Sequence, residues 1–183
     1  MQVVAEHEQL PVLQARDGDS QAWDVLFRRY QLPLFTYVFE LVHDEQTSLD
    51  IVQETFVSAA RYINRLREDE KFGGWLFGIA HQKCILEWRK KHRDMPSEPL
   101  SEQEVSEELD PAEWLIRQEQ EALFMKCMDG LPVAQRSVLL LFFIEDFSIE
   151  EIAEITGAQL GTVKSRLHYA KIALKHVLEE SEL

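Results

Sequence analysis

Apolar residues recur along most of this chain at spacings of three and four, the period of a helix with one buried face. No segment alternates with the period of two that a half-buried strand requires, and Asp17-Gly18 separates two helical patterns instead of joining a hairpin. Residues 20–42 carry Trp23, Leu26, Phe27, Tyr30, Leu34, Phe35 and Val38 in helical register, with Pro33 placed to kink or break the helix. Residues 47–65 put Val52, Phe56, Ala59 and Ile63 on one face and leave Asp50, Gln53, Glu54 and Arg61 on others, exposed to solvent. A third pattern, Phe72 to Lys91, is apolar on two arcs with Lys71, Gln82, Lys83 and Arg89 between them. Such a helix is either deeply buried or has a second, functional apolar face.

The pattern stops at residues 94–110 (DMPSEPLSEQEVSEELD), which hold seven acids, two prolines, three serines and no cation. A segment of that composition buries too little apolar surface to offset the entropy of ordering it, so it reads as a flexible linker. It ends in Asp110-Pro111 with Glu113 beyond: a capping Asp, a proline at the first helical position and an acid in the first turn. The expected helix runs from there to about Asp129, stopped by Gly130 and Pro132, and another runs from Val133 to Ile144. The predicted fold is all-α: a helical domain over 1–93, an acidic linker over 94–110, and a four-helix domain over 111–183. Limited proteolysis of the free protein is expected to cut within 94–110 and leave two helical fragments, and a protected segment would refute this.

Residues 148–174 (SIEEIAEITGAQLGTVKSRLHYAKIAL) spell two short amphipathic helices joined by a glycine turn. Ser148 and Glu151 form a capping box, and Ile149, Ile152, Ala153 and Ile155 supply the apolar face of the first helix. Gly157 ends it with the positive-φ turn that a Cβ opposes, and the small Ala153 lets the next helix cross closely. In the second helix Val163, Leu167, Ala170 and Leu174 share a narrow buried arc, so Lys164, Ser165, His168 and Lys175 are expected to point away from the core. This is the pattern of a helix-turn-helix, whose second helix presents hydrogen-bonding side chains to the major groove. A helical hairpin with a solvated charged face has the same spacing.

Charge changes the picture. Lys and Arg number 19 against 33 Asp and Glu, a net −14 that a free-standing DNA-binding domain rarely shows. The charge is segregated, however: residues 61–93 carry +5, and residues 160–176 hold Lys164, Arg166, Lys171 and Lys175 with no acid. Two basic islands in an acidic body predict weak binding to duplex DNA alone and a partner that supplies the remaining positive charge. The first island is interleaved with Trp75, Phe77 and Trp88, the combination of flat faces and cations that suits single-stranded nucleic acid, although a core aromatic cluster explains Trp75 as well.

Nothing points to catalysis. The chain has no phosphate-binding glycine loop, no nucleophile in a recognisable setting and only two cysteines, Cys84 and Cys127, so no catalytic residue, cofactor or metal is expected. The pair His81 and Cys84 lacks two further ligands, and a buried small apolar cysteine accounts for Cys84. The longest apolar run, Val138 to Ile144, is far short of the roughly 20 residues a membrane span needs. The N-terminus has no basic segment followed by an apolar one, so a cytoplasmic location is expected. A two-domain regulator that does not initiate transcription and a helical protein-binding adaptor both remain open, though the adaptor leaves the acid-free stretch 160–176 unexplained.

Three segments in order, DIVQETFVSAARYI (50–63), FGGWLFGIAHQKCILEWRKKHR (72–93) and LPVAQRSVLLLFFIEDFSIEEIAEITGAQLGTVKSRLHYAKIAL (131–174), resemble the extracytoplasmic-function sigma factors of bacterial RNA polymerase. The resemblance covers about residues 8–93 and 112–180. It implies a first domain that binds core RNA polymerase and melts and reads the minus-ten element, and a second that reads the minus-thirty-five element as duplex. It also implies that the polymerase supplies the grip on promoter DNA that an acidic body lacks, that the linker runs toward the RNA exit path, and that an anti-sigma partner holds the factor inactive. Carried over position by position, it assigns polymerase contact to Asp50, Gln53 and Glu54, and minus-ten DNA to Lys83, Arg89, Lys90 and Lys91. The turn from Leu66 to Lys71 corresponds to the loop that captures a flipped minus-ten base, although here it reads LREDEK, with three acids. For the minus-thirty-five element the resemblance gives base reading to Lys164, Ser165 and His168 and backbone contact to Arg166 and Lys171. The chain departs from the usual pattern at Gln82 (commonly Asn), Leu86 (commonly Asp) and Tyr169 (commonly Arg).

Overall fold

A computed structural model describes residues 10–91, 128, 130–143 and 145–181, and their regular structure is helical throughout. The helices are α1 (Val12–Arg16), α2 (Ser20–Val42), α3 (Glu45–Tyr62), α4 (Phe72–Lys91), α5 (Val133–Phe143), α6 (Ile149–Thr156) and α7 (Leu160–Ser181), with short 3-10 turns at Ile63–Arg65 and Asp69–Lys71. The chain divides into two compact units, Met1–Cys84 and Ile85–Leu183, so the division falls inside α4. The expected linker at 94–110 and the helix expected from Asp110 lie outside the described residues, apart from Met128 and Gly130, which are helical.

In the first unit, local chemistry sets the helix ends. The Asp19 carboxylate accepts from the Gln21 amide at 2.8 Å, and the Asp44 carboxylate accepts from the Thr47 amide at 2.8 Å, so each helix start gains one of its missing acceptors. Gly18, at φ +90°, makes the turn from α1 into α2, where a side chain would strain the backbone. The indole of Trp23 donates to the Ala15 carbonyl at 2.9 Å and fastens α1 to α2. The second half of α2 buries Leu34, Tyr37, Val38 and Leu41. Facing them are Ile51, Val52, Phe56 and Ala59 of α3 and Phe72, Leu76, Phe77 and Ala80 of α4.

Pro33 does not break α2, which continues through it to Val42. A proline removes one intrahelical hydrogen bond, whereas the fully buried Leu26 and Leu34 on either side each gain about 1.5–3 kcal/mol from burial, so packing holds the helix together. Inside this core the Tyr37 hydroxyl and His81 Nδ1 are hydrogen-bonded at 2.8 Å, which satisfies two polar groups out of reach of water. Cys84 is buried as expected, and burial pushes its thiol up to about 12, keeping it protonated.

In the second unit, α5 packs on α6 and α7, and α6 packs on α7. Val138, Leu139, Leu140 and Leu141 of α5 are buried with Ile152 and Ile155 of α6 and with Val163, Leu167, Ala170 and Leu174 of α7. The turn between α5 and α6 folds back, the Glu145 amide donating to the Leu140 carbonyl (3.3 Å) and the Phe147 amide to that of Leu141 (3.0 Å), with Asp146 left-handed at φ 55°. Burial, with the Asp146 charge as a second cause, pushes the Glu145 carboxyl from 4.5 up to about 7. The fold therefore binds a proton at Glu145 more tightly than the unfolded chain does. Its stabilising effect is complete below about pH 4.5 and lost as pH rises through about 7. The Glu145→Gln variant of the full chain should match the parent in thermal midpoint at pH 5 and exceed it at pH 8, and a difference independent of pH would refute this.

Candidate nucleic-acid interface

The second unit builds its presenting helix from strong local signals. Both halves of the capping box form: the Glu151 amide donates to Ser148 Oγ at 3.2 Å, and the Glu151 carboxylate accepts from the Ser148 amide at 2.8 Å. Gly157 closes α6 in the left-handed region at φ 67°, so α7 starts three residues later at a changed angle. The buried arc of α7 is Val163, Leu167, Ala170 and Leu174, as the spacing requires. Lys164 and Lys175 are exposed and His168 is half-buried, and all three lie on one side of that arc.

Two of the expected contact residues, Ser165 and Lys171, are placed differently from a simple helical wheel. Ser165, expected to point outward, is only 8% exposed. One turn on, the rings of His168 and Tyr169 meet edge-on at 5.6 Å, and helical side chains lean toward the N-terminus, the direction in which the short Ser165 hydroxymethyl lies. Lys171 holds its ammonium 5.4 Å from the ring centres of both Phe142 and Phe143, so its charge is drawn toward α5. Arg166 is half-buried with Nε shielded from solvent, in keeping with a place beside the buried arc.

In the first unit, Asp50, Gln53 and Glu54 are exposed on α3, opposite its buried face. Asp50 accepts from Gln46 Nε2 at 3.2 Å along the same helix. Glu54 is paired at 3.0 Å with Lys83 of α4, so a residue assigned to polymerase and one assigned to DNA are held together. Toward the end of α4, Arg89, Lys90 and Lys91 are exposed, with Lys90 paired to Glu87 at 3.1 Å. Leu86 (56%) and Trp88 (37%) are exposed beside them, whereas Phe77 is buried and Trp75 half-buried near Phe72, their rings 6.0 Å apart. Within α4, cations and exposed apolar side chains thus coincide in its last turns. The acidic turn Leu66–Lys71 is tied to α1 by a pair that sequence reading missed, Arg16 Nη2 to Asp69 Oδ1 at 2.6 Å. Fifty-three residues separate the two, and no local pattern marks a contact across that distance. Among the described residues no group of three or more His, Cys, Asp or Glu side chains is arranged to hold a metal, and no helix is long and apolar enough to cross a membrane.

Comparison with known proteins joins these surfaces. Residues 26–94 match the family model for sigma-70 region 2, and residues 121–174 match that for sigma-70 region 4. The chain is 28% identical to the RNA polymerase sigma-H factor of Pseudomonas aeruginosa over 183 aligned positions, covering 95% of each. It is also 28% identical to the ECF RNA polymerase sigma factor SigW of Bacillus subtilis, covering 92% of this chain and 95% of that one. Among solved structures, the sigma factor RpoE bound to the anti-sigma factor NepR, from Bartonella quintana, superposes with a TM-score of 0.62 at 25% identity, covering 84% of this chain and 96% of that one. CnrH, in complex with the cytosolic domain of CnrY, shares the fold with a TM-score of 0.68 at 22% identity, covering 94% of this chain and 97% of that one. The two halves of the architecture occur here in order on one chain, which belongs to the extracytoplasmic-function group of sigma-70 factors, the subunits that bind core RNA polymerase and direct promoter-specific initiation of transcription.

Proposed function

We propose a division of labour within this sigma factor. Residues 1–93 form the domain that binds core polymerase and the minus-ten element, 94–110 the acidic linker, and 111–183 the domain that reads the minus-thirty-five element. The observation that carries it is the acid-free stretch 160–176 on the second helix of a helix-turn-helix, in a chain of net charge −14. Such a charge repels phosphate everywhere except where the chain concentrates cations. Lys164 and His168, early on the open side of α7, read base edges, while Arg166 and Lys171 hold the backbone. Ser165 is too buried to serve as a reader.

On the first domain, Asp50, Gln53 and Glu54 meet a basic surface of the polymerase clamp. Lys83, Arg89, Lys90 and Lys91 line the path of the melted minus-ten strand, with the partly exposed Trp88 ring beside them as a stacking face. The turn Leu66–Lys71 faces that strand. The factor works in the cytoplasm, where polymerase and promoters are, and, as a member of a family that is not catalytic in general, contributes recognition while the polymerase supplies the chemistry. An anti-sigma protein holds it in reserve, a reading supported by the similar sigma factor RpoE of Bartonella quintana, solved in complex with the anti-sigma factor NepR. Run-off transcription with purified core polymerase and a promoter library tests the whole: the chain should confer initiation on promoters sharing two spaced elements. Binding to core without initiation would favour the non-initiating regulator.

A further inference from the structure

The turn between α3 and α4 poses an electrostatic problem for a surface meant to approach DNA. Its sequence, Leu66-Arg67-Glu68-Asp69-Glu70-Lys71, places three carboxylates together where phosphates would repel them. The structure cancels two of them. Lys71 pairs with Glu68 at 3.2 Å within the turn. Asp69 is met by Arg16, whose Nη2 lies 2.6 Å from its Oδ1 and donates at the same time to the Leu66 carbonyl at 3.2 Å. One guanidinium nitrogen therefore holds the start of the turn and its first 3-10 residue together. It does so from a helix more than fifty residues away in sequence.

Arg16 is itself well anchored. Its neighbour Ala15 is buried, Val12 is fully buried, and the Trp23 indole donates to the Ala15 carbonyl at 2.9 Å. On the far side, the rings of Tyr30 and Phe72 lie 5.6 Å apart, and a Cβ on Gly73 would come within 3.0 Å of the Tyr30 hydroxyl. Helix α2 thus fixes both the clasp and the exit of the turn. With Asp69 and Glu68 occupied, Arg67 and Glu70 remain exposed and make no ion pair among the described residues.

We propose that Arg16 is a positioning residue for minus-ten recognition: it clasps the turn Leu66–Lys71 into the shape that meets the melted strand and cancels the Asp69 charge that would repel it. This rests on the reading that the turn faces minus-ten DNA. The Arg16–Asp69 pair is only partly exposed, at 24% and 35% for the two side chains, so salt screens it less than an open surface pair.

The test uses the full-length factor assembled with core polymerase and a single-stranded non-template oligonucleotide from a promoter that the holoenzyme transcribes. Arg16→Ala should bind core polymerase and minus-thirty-five duplex as the parent does, yet bind the oligonucleotide roughly five- to tenfold more weakly, the net scale of one ordinary hydrogen bond, because the clasp is partly open to water. Arg16→Lys, which keeps charge and a donor, should recover most of that loss. Arg67→Glu, a reversal on the exposed side of the turn, checks the underlying reading and should weaken oligonucleotide binding whatever Arg16 does. Unchanged oligonucleotide binding in Arg16→Ala alongside a loss in Arg67→Glu overturns the role of Arg16. Unchanged binding in Arg67→Glu removes the turn from the DNA interface, and the inference falls with that reading. An Arg16→Ala loss that appears equally in core affinity and thermal stability also overturns it, since it would reflect folding alone.

Discussion

Asp50→Lys is expected to weaken assembly with core RNA polymerase by about 2–5 kcal/mol, the range for breaking a desolvated charge pair across an interface, while the factor itself stays folded. Asp50 is exposed, and its neighbours on the buried face of α3 are Ile51, Val52, Thr55 and Phe56, none of which the reversal disturbs. Its hydrogen bond from Gln46 is an exposed local one, of little weight in stability. Glu54→Lys needs a more careful reading, because Glu54 is paired with Lys83 at 3.0 Å and a reversal sets two cations against each other. Swapping both, Glu54→Lys with Lys83→Glu, separates the possibilities. If Glu54 touches the polymerase, the double variant remains weak for core. If Glu54 serves only to hold Lys83, core binding returns. Titration of labelled core with each variant decides it, and parental affinity for Asp50→Lys together with recovery in the swap would remove this face from the interface. A regulator that does not assemble with core through this surface would be indifferent to all three.

What was legible in the sequence was what has a short-range signature. The capping box at Ser148 and Glu151, the left-handed Gly157 and the arc Val163, Leu167, Ala170, Leu174 are each defined within a few residues, and all of them form. The exposed acids of α3 followed from the same helical period. Direction on a helical wheel, however, does not give length or lean. Ser165 lies on the outward side of α7 by angle and is still only 8% exposed. Nor does a charge count show where a charge is engaged. Lys171 lies over Phe142 and Phe143, Lys83 reaches Glu54 from 29 residues away and Arg16 reaches Asp69 from 53, contacts set by how helices pack. At Pro33 local propensity allows a kink or a break, and the break does not occur: tertiary burial of Leu26 and Leu34 outweighs the lost hydrogen bond.

These placements sharpen what substitution along α7 should do to promoter recognition. Lys164 is exposed at the start of the open side, and His168 stands one turn further on, so these two side chains are positioned to reach base edges when the helix enters the major groove. Replacing either by Ala should cost roughly 1–3 kcal/mol on the preferred minus-thirty-five sequence and relax the preference at one or two base positions. Ser165→Ala should leave the preference as it is, because the hydroxyl is covered; a changed preference would show that α7 repacks on DNA to expose it. Arg166→Ala should weaken all sequences alike and lower the salt slope by about one unit, the mark of a lost phosphate contact. Lys171→Ala should share that uniform loss and add a stability cost of about 0.5–1 kcal/mol from the two phenyl rings it leaves, visible in the thermal unfolding of the free protein. A binding matrix measured for each variant in the holoenzyme distinguishes reading from gripping. Uniform losses from Lys164→Ala and His168→Ala would mean that this face of α7 does not read sequence, and the minus-thirty-five preference would have to come from elsewhere in the second domain.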